Sequence, residues 1–258
     1  MTSSCPAISF KICQFLADHM QHLAEQYCML TPPRCCLALL DLRLLSSLIE
    51  QPDTPAHLLS PGENALFQRF RLDKRRLEWL GGRVAAKHCI HQLLAPDASP
   101  SLFHQYSILS NTHGGPRLEQ TTCQDVALSI SHSRGYAAAV ACRSGSCGID
   151  VQYLTPKLAA VADRFTHEDE LDLISPLSAP LTRLGLIWTA KEAVKKCLLA
   201  DHPSFLGRIR LTWIEHDQKS SLWTAQCRIS QPAVMAATVR IAEMDNHLVA
   251  CATGDAHA

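Results

Sequence analysis

The chain has 258 residues, with 24 Lys and Arg against 24 Asp and Glu, 47% apolar and 19% charged residues. That length allows one large domain or two small ones, each able to bury a core. The balanced charge excludes bulk electrostatics as the basis of nucleic-acid or anionic-membrane binding, and the ordinary apolar content with no low-complexity tract excludes intrinsic disorder.

Twelve cysteines sit largely in apolar runs, as in Cys35-Cys36-Leu37, around Cys142 and around Cys251. Free cysteine packs there as a small hydrophobe. No CxxC and no zinc spacing occurs, so the expectation is reduced thiols in a cytoplasmic protein. No targeting segment is evident, and no uncharged apolar stretch approaches the ~20 residues of a membrane span.

In chain order, Phe10 to Leu30 carries apolar side chains at helical spacing, and Cys36 to Leu42 reads as a buried strand. Gln51 to Gly62 is a Pro-rich connection. Ser60-Pro61-Gly62-Glu63 supplies an N-cap serine, a proline at the first helical position and an acid in the first turn. Lys74 to Leu94 is strongly helical, and His113-Gly114-Gly115-Pro116 is a turn. Val126 to Ile130 and Ala137 to Cys142 read as strands around a loop Ser131-His132-Ser133-Arg134-Gly135. A further strand spans Cys147 to Tyr153. Thr166 with Asp169 suggests a capping box, and Thr182 to Leu199 is a long helix. Arg208–Ile214, Leu222–Ile229, Ala236–Ala242 and His247–Ala252 follow as antiparallel strands. The pattern is α+β with a seam near Ser144–Ser146: an N-terminal lobe over 1–143, including a helical extension over 1–31, and a C-terminal lobe over 144–258.

Three places carry residues that packing alone does not select. Asp150 lies inside the strand Gly148-Ile149-Asp150-Val151, where a carboxylate needs either solvent or a compensating cation. Trp188, Glu192 and Lys196 stand at i, i+4 and i+8 and share a helix face; a surface Glu–Lys pair is the plainer account. Ser131-His132-Ser133 offers hydroxyls, an imidazole and turn N–H groups suited to an anion, or an ordinary surface loop. A Ser-His-Asp triad is disfavoured, because no GxSxG elbow is present.

Taken together, the ordered series ISHS, GID and WTAKEAVKK resembles the 4′-phosphopantetheinyl transferases, of the larger Sfp-like and enterobactin-synthetase-associated type. RRLEWLGGRVAAK, the GGP turn and RFTHEDELDLI add to the likeness, which runs from about Leu59 to the final strand. The resemblance implies two similar, pseudo-two-fold-related lobes, each an antiparallel sheet packed with helices, with coenzyme A held at their interface by a monomer. It implies transfer of the phosphopantetheine arm of coenzyme A to a serine of an apo acyl, peptidyl or polyketide carrier protein, with release of 3′,5′-ADP. A divalent cation, Mg²⁺ with Mn²⁺ as an alternative, is then expected on Asp150 and Glu192, with Gln152 reaching it through water.

The same resemblance makes Glu192 the general base and Lys196 the pyrophosphate ligand. Ser131, His132, Arg83, Lys191 and Arg117 become coenzyme A contacts. Gln152 stands where the family often has a third acid, and Gly115 where it has a lysine. These departures keep open the alternative of a catalytically weakened coenzyme A or carrier-protein binding module. Arg69, Arg71, Lys74, Arg75, Arg76, Arg83 and Lys87, against Asp73 and Glu78, suggest a basic surface for an acidic carrier or for coenzyme A phosphates. A nucleic-acid-binding role for that stretch lacks aromatic interleaving or a reader motif.

Overall fold

The structure is a computed structural model and describes residues 6–49, 54–120, 125–174, 178–202, 207–230 and 235–254. Gln51–Asp53 of the Pro-rich connection and Pro203–Phe205 beyond the long helix lie outside these. The elements are α1 (Pro6–Gln26), β1 (Cys35–Asp41), α2 (Leu42–Ile49), α3 (Thr54–Leu58), α4 (Pro61–Phe67) and α5 (Asp73–Leu94), then β2 (Ile108–Ser110), β3 (Pro116–Leu118), β4 (Val126–Ser133) and β5 (Tyr136–Arg143). After them come β6 (Ser146–Tyr153), α6 (Glu168–Ile174), α7 (Pro180–Leu198), β7 (Ile209–Asp217), β8 (Leu222–Ile229), β9 (Met235–Met244) and β10 (His247–Gly254). The architecture is α+β. The chain divides into two compact units, one of residues 1–28 with 33–144, the other of residues 29–32 with 145–258.

In the N-terminal unit a three-stranded antiparallel sheet runs in the order β1-β5-β4, and α5 packs on it. Ala137, Ala139 and Ala141 alternate on one face of β5 and are buried in the same core as Val84 and Ala85 of α5. Such small residues let a helix lie close to a sheet. A Cβ on Gly81 would overlap Leu42 and crowd Ala137, so glycine is required at that contact. The helix α1 adds Ile12, Cys13, Leu16 and Met20 to this core. The expected N-cap is present: Ser60 Oγ accepts from Glu63 N, and Glu63 Oε2 accepts from Ser60 N at 2.8 Å, a complete capping box.

In the C-terminal unit a five-stranded antiparallel sheet runs β6-β10-β9-β8-β7 under α7. Period-two alternation explains its two-sidedness, since Trp223, Ala225, Cys227 and Ile229 of β8 are buried while Gln226 and Arg228 are exposed. Here Gly185 of α7 meets Leu154 and Leu248 as Gly81 meets Leu42 and Ala137.

The two units share a deeper repeat. Lys87 of α5 is wholly buried; its Nζ donates to Glu63 Oε2 and to Leu58 O at 2.8 Å, and Glu63 Oε1 accepts from Ile108 N. Lys191 of α7 does the same with Glu170 and Phe165 O at 2.7 Å, while Glu170 Oε1 accepts from Leu211 N. In each unit the carboxylate also accepts from the backbone N–H three residues earlier, of Ser60 and of His167. Each glycine precedes its lysine by the same interval, so α5 and α7 align residue for residue.

Several expectations are corrected. Cys35 and Cys142 are not thiols but a disulfide: the register of β1 on β5 sets them directly opposite, with Cα atoms 4.2 Å apart. Other described cysteines, such as Cys13, Cys227 and Cys251, are free and buried. Thr166 does not cap α6. Its hydroxyl donates back to Ala162 O, the capping carboxylate is Glu170, and Asp169 pairs with Arg210 instead. Ser131, His132 and Ser133 are not loop but the end of β4, because Arg134 and Gly135, with φ of 33° and 94°, close β4 onto β5 in a two-residue turn. No helix among the described residues is long and apolar enough to cross a membrane.

Candidate active site on β6 and α7

Gly148 brings the two elements of the site together. A Cβ there would overlap Ala193 O and Cys197 N, so only glycine lets β6 lie against the α7 backbone. Side chains of a strand alternate, so Asp150 and Gln152 project from the same face as Gly148, toward α7. Asp150 is 6% exposed and pairs across the sheet with Ala250. It does not face solvent.

Glu192 lies on the half-buried side of α7. Burial pushes its carboxyl above the ordinary value, and the charge of Asp150 pushes in the same direction. Lys196 and Lys195 oppose that shift. Lys196 Nζ donates to Asp150 Oδ1 at 2.8 Å and to Ile149 O at 3.0 Å, so it crosses to the strand rather than forming a surface pair with Glu192. A carboxyl pushed toward its protonated form by burial and by a neighbouring carboxylate, with one lysine beside the pair, forms an electrostatic setting that a divalent cation relieves.

Among the described residues no group of three or more His, Cys, Asp and Glu side chains gathers as a metal cage. Mg²⁺ needs none, since it takes one or two carboxylates and completes its octahedron with water and phosphate oxygens. The donor set fits a hard, partly hydrated cation. Gln152 Nε2 donates to Tyr153 O at 2.8 Å, which leaves its amide oxygen as the group able to meet a metal-held water.

Other expected site residues have different surroundings. Lys191 is not a coenzyme A contact here: it is 1% exposed and committed to Glu170 and Phe165 O. Trp188 packs edge-on against Phe165 with ring centroids 5.0 Å apart. In the N-terminal unit Arg83 is buried, its guanidinium stacked 4.6 Å over Trp79 and its Nε donating to Ile108 O. Arg83 and Lys87 therefore leave the proposed basic surface, whose exposed members are Arg69, Arg71, Lys74 and Arg75. Ser131 is buried near the end of β4, and His132 Nδ1 lies 3.8 Å from Glu78 Oε2. Arg117 is exposed on β3. Glu78 enters the sequence reading only as an acid within the basic stretch, and Glu170 does not enter it by itself. For Glu170 the signal was the acid at the third residue of its helix, which was assigned to its neighbour Asp169.

The 4′-phosphopantetheinyl transferase superfamily model matches residues 146–252, and the model of the 4′-phosphopantetheinyl transferase N-terminal domain matches residues 63–142. A holo-[acyl-carrier-protein] synthase of Bacillus pumilus is 36% identical over 100 residues, covering 38% of this chain and 82% of that protein. One from Geobacillus kaustophilus is 36% identical over 104 residues, covering 39% and 80%. A crystal structure of a Bacillus anthracis holo-(acyl-carrier-protein) synthase in complex with CoA (3′,5′-ADP) is 22% identical, with a TM-score of 0.37, covering 42% of this chain and 91% of that one. With both halves of its sequence matched and a relative 36% identical over 82% of its own length, the chain belongs to the 4′-phosphopantetheinyl transferase superfamily.

Proposed function

We propose that Asp150, Glu192 and Lys196 carry out the transfer that defines the family. The protein moves the 4′-phosphopantetheine arm of coenzyme A to a serine of an apo carrier protein. The observation that supports the residue assignment is the pressure that burial and Asp150 put on the Glu192 carboxyl, beside a Lys196 bonded to Asp150.

Mg²⁺ bound by Asp150 and Glu192 would supply charge neutralisation for the pyrophosphate. Glu192, with its proton affinity raised, is matched to accept the hydrogen of the carrier serine hydroxyl as its oxygen attacks phosphorus. Lys196 carries positive charge at Asp150, where it would favour the phosphate oxygens of the departing 3′,5′-ADP. Ser131, His132 and Arg117 are assigned to the phosphates of coenzyme A. Mn²⁺ is a proposed substitute, because a site with Gln152 in place of an acid depends less on charge count. The proposed setting is the cytoplasm, on the ground of the free buried thiols such as Cys13, Cys227 and Cys251 and against the Cys35–Cys142 bridge, which is uncommon there. The proposed state is a monomer, with neither nucleic acid nor membrane as partner.

Purified protein incubated with coenzyme A, Mg²⁺ and a panel of apo carriers tests this. The expected result is a carrier mass increase of one phosphopantetheine that disappears on chelation and forms about 10²–10⁴-fold more slowly with Glu192→Gln. Binding of coenzyme A with no mass increase on any carrier would support the binding-module alternative, which Gln152 favours.

A further inference from the structure

We propose that the groove between α1 and α5 in the N-terminal unit binds a small organic amine, with its ammonium groups held by Asp18 and Asp97. The groove is open to solvent, has a volume of about 500 Å³ and is also lined by His88, His91, Gln92 and Phe10. It is independent of the transfer reaction, and every residue that lines it belongs to one unit.

The residue alignment of α5 with α7 says what this place is. With Lys87 matched to Lys191, His88 takes the position of Glu192 and Gln92 that of Lys196. Leu42 and Leu154 make matching contacts with Gly81 and Gly185, which aligns β1 with β6 and sets Ala38 at the position of Asp150. The groove thus holds the α5 counterparts of Glu192 and Lys196, and with Ala38 in the place of Asp150 the acids and the lysine assigned to transfer are all replaced. It has no chemistry left for a metal–diphosphate ligand.

What remains is selective in another direction. Among the described residues, two carboxylates and no Lys or Arg line the groove. Gln14 Nε2 donates to Asp18 Oδ1 at 2.7 Å and orients that carboxylate. His88 is 1% exposed, its ring lies edge-on to Phe103, and its Nδ1 is buried without a hydrogen-bond partner. A buried nitrogen of that kind is costly unless a ligand meets it. In the Nε2-protonated tautomer it is an acceptor closed to water, which an ammonium N–H reaches only by parting the side chains over it.

Burial holds the His88 pKa down to about 4, so the ring stays neutral and does not repel a cation. The 45%-exposed ring of Phe10 adds an aromatic face for the same charge. A transition metal is a poorer fit. His91 Nε2 is bound to Ala98 O at 2.8 Å and its Nδ1 faces the Tyr106 hydroxyl, which leaves no imidazole pair for it.

Calorimetric titration of the full chain with 1,4-diaminobutane, spermidine, Zn²⁺ and inorganic phosphate tests the assignment. Saturable binding of a di- or polyamine is expected, weakened at least tenfold in Asp18→Asn/Asp97→Asn, with phosphopantetheine transfer unchanged. His88→Phe should weaken the amine similarly; should that variant not fold, the double carboxamide variant alone decides. Absence of saturable amine binding, equal binding by Asp18→Asn/Asp97→Asn, or preferential binding of Zn²⁺ or phosphate that the double variant abolishes would overturn it.

Discussion

Lys196 of α7 and Asp150 of β6 form an ion pair of 2.8 Å, so the carboxylate assigned to a metal already faces a cation of the chain itself. Removing the ammonium leaves Asp150 opposite Glu192 with less compensation. Lys196→Met should lower metal-free stability by about 1.5–3 kcal/mol. Added Mg²⁺ should restore more stability to this variant than to wild type. Thermal unfolding across a Mg²⁺ titration checks this, and an identical Mg²⁺ response in both proteins would contradict it.

Glu192→Gln should reduce transfer by about 10²–10⁴-fold, the usual contribution of a positioned base. A carboxyl whose pKa is raised by burial and by Asp150 favours the folded state protonated, so its ionised form weakens the fold at neutral pH. The metal-free variant should therefore unfold at a temperature no lower than wild type at pH 7. In the transfer assay, the acid limb due to Glu192 should vanish from the residual activity.

The repeated lysines give a matched pair of variants. Lys87→Met and Lys191→Met each strand a fully buried glutamate, at a cost of about 3–5 kcal/mol. Lys191→Met/Glu170→Gln should recover part of that loss. Denaturant unfolding reads the cost. A Lys191 variant that kept full stability but lost coenzyme A affinity would return this lysine to the ligand site.

His88 gives the N-terminal unit an acid sensitivity. Its folded pKa of about 4 lies below the ordinary histidine value of 6.5, so the unfolded chain takes up a proton first as the pH falls. Stability contributed by the neutral ring is complete above pH 6.5 and is lost between there and pH 4, up to about 3 kcal/mol. His88→Gln should flatten that part of the stability–pH curve. An unchanged slope would contradict the assignment.

Most of the fold was legible because its signals are local. Ser60 and Glu63 announce α4, and alternating or continuous apolar runs mark β7 through β10. Asp150 was legible as an anomaly, an acid in an apolar strand, and Glu192 and Lys196 by their helical spacing. Cross-strand register was not legible, so Cys35 and Cys142 were read as separate hydrophobes although β1 and β5 place them opposite one another. Lys191 was misread because its partner Glu170 is 21 residues away in sequence, and no local pattern distinguishes a buried ion pair from a ligand-binding lysine. His132 was read as a loop residue because the positive φ values of Arg134 and Gly135, which shorten that loop to a turn, belong to the backbone.

The Cys35–Cys142 bridge spans 107 residues of sequence and should stabilise the N-terminal unit by about 2–5 kcal/mol against its reduced form. Peptide mapping without reductant should recover the linked pair, and reduction should lower the unfolding midpoint. Recovery of both as free thiols from oxidising conditions would contradict the pairing.

The two-residue turn at Arg134 and Gly135 fixes more than the end of a ribbon. Ser131 stands opposite Ala138 and His132 opposite Ala137, so neighbouring residues look to opposite sides of the sheet. Lengthening the tip by one amino acid, if the ladder slipped to absorb it, would exchange their orientations throughout the strand. A hydroxyl would come to lie where an imidazole had been without any change in composition. The size of the bend is therefore itself a determinant of which groups a nucleotide could meet there.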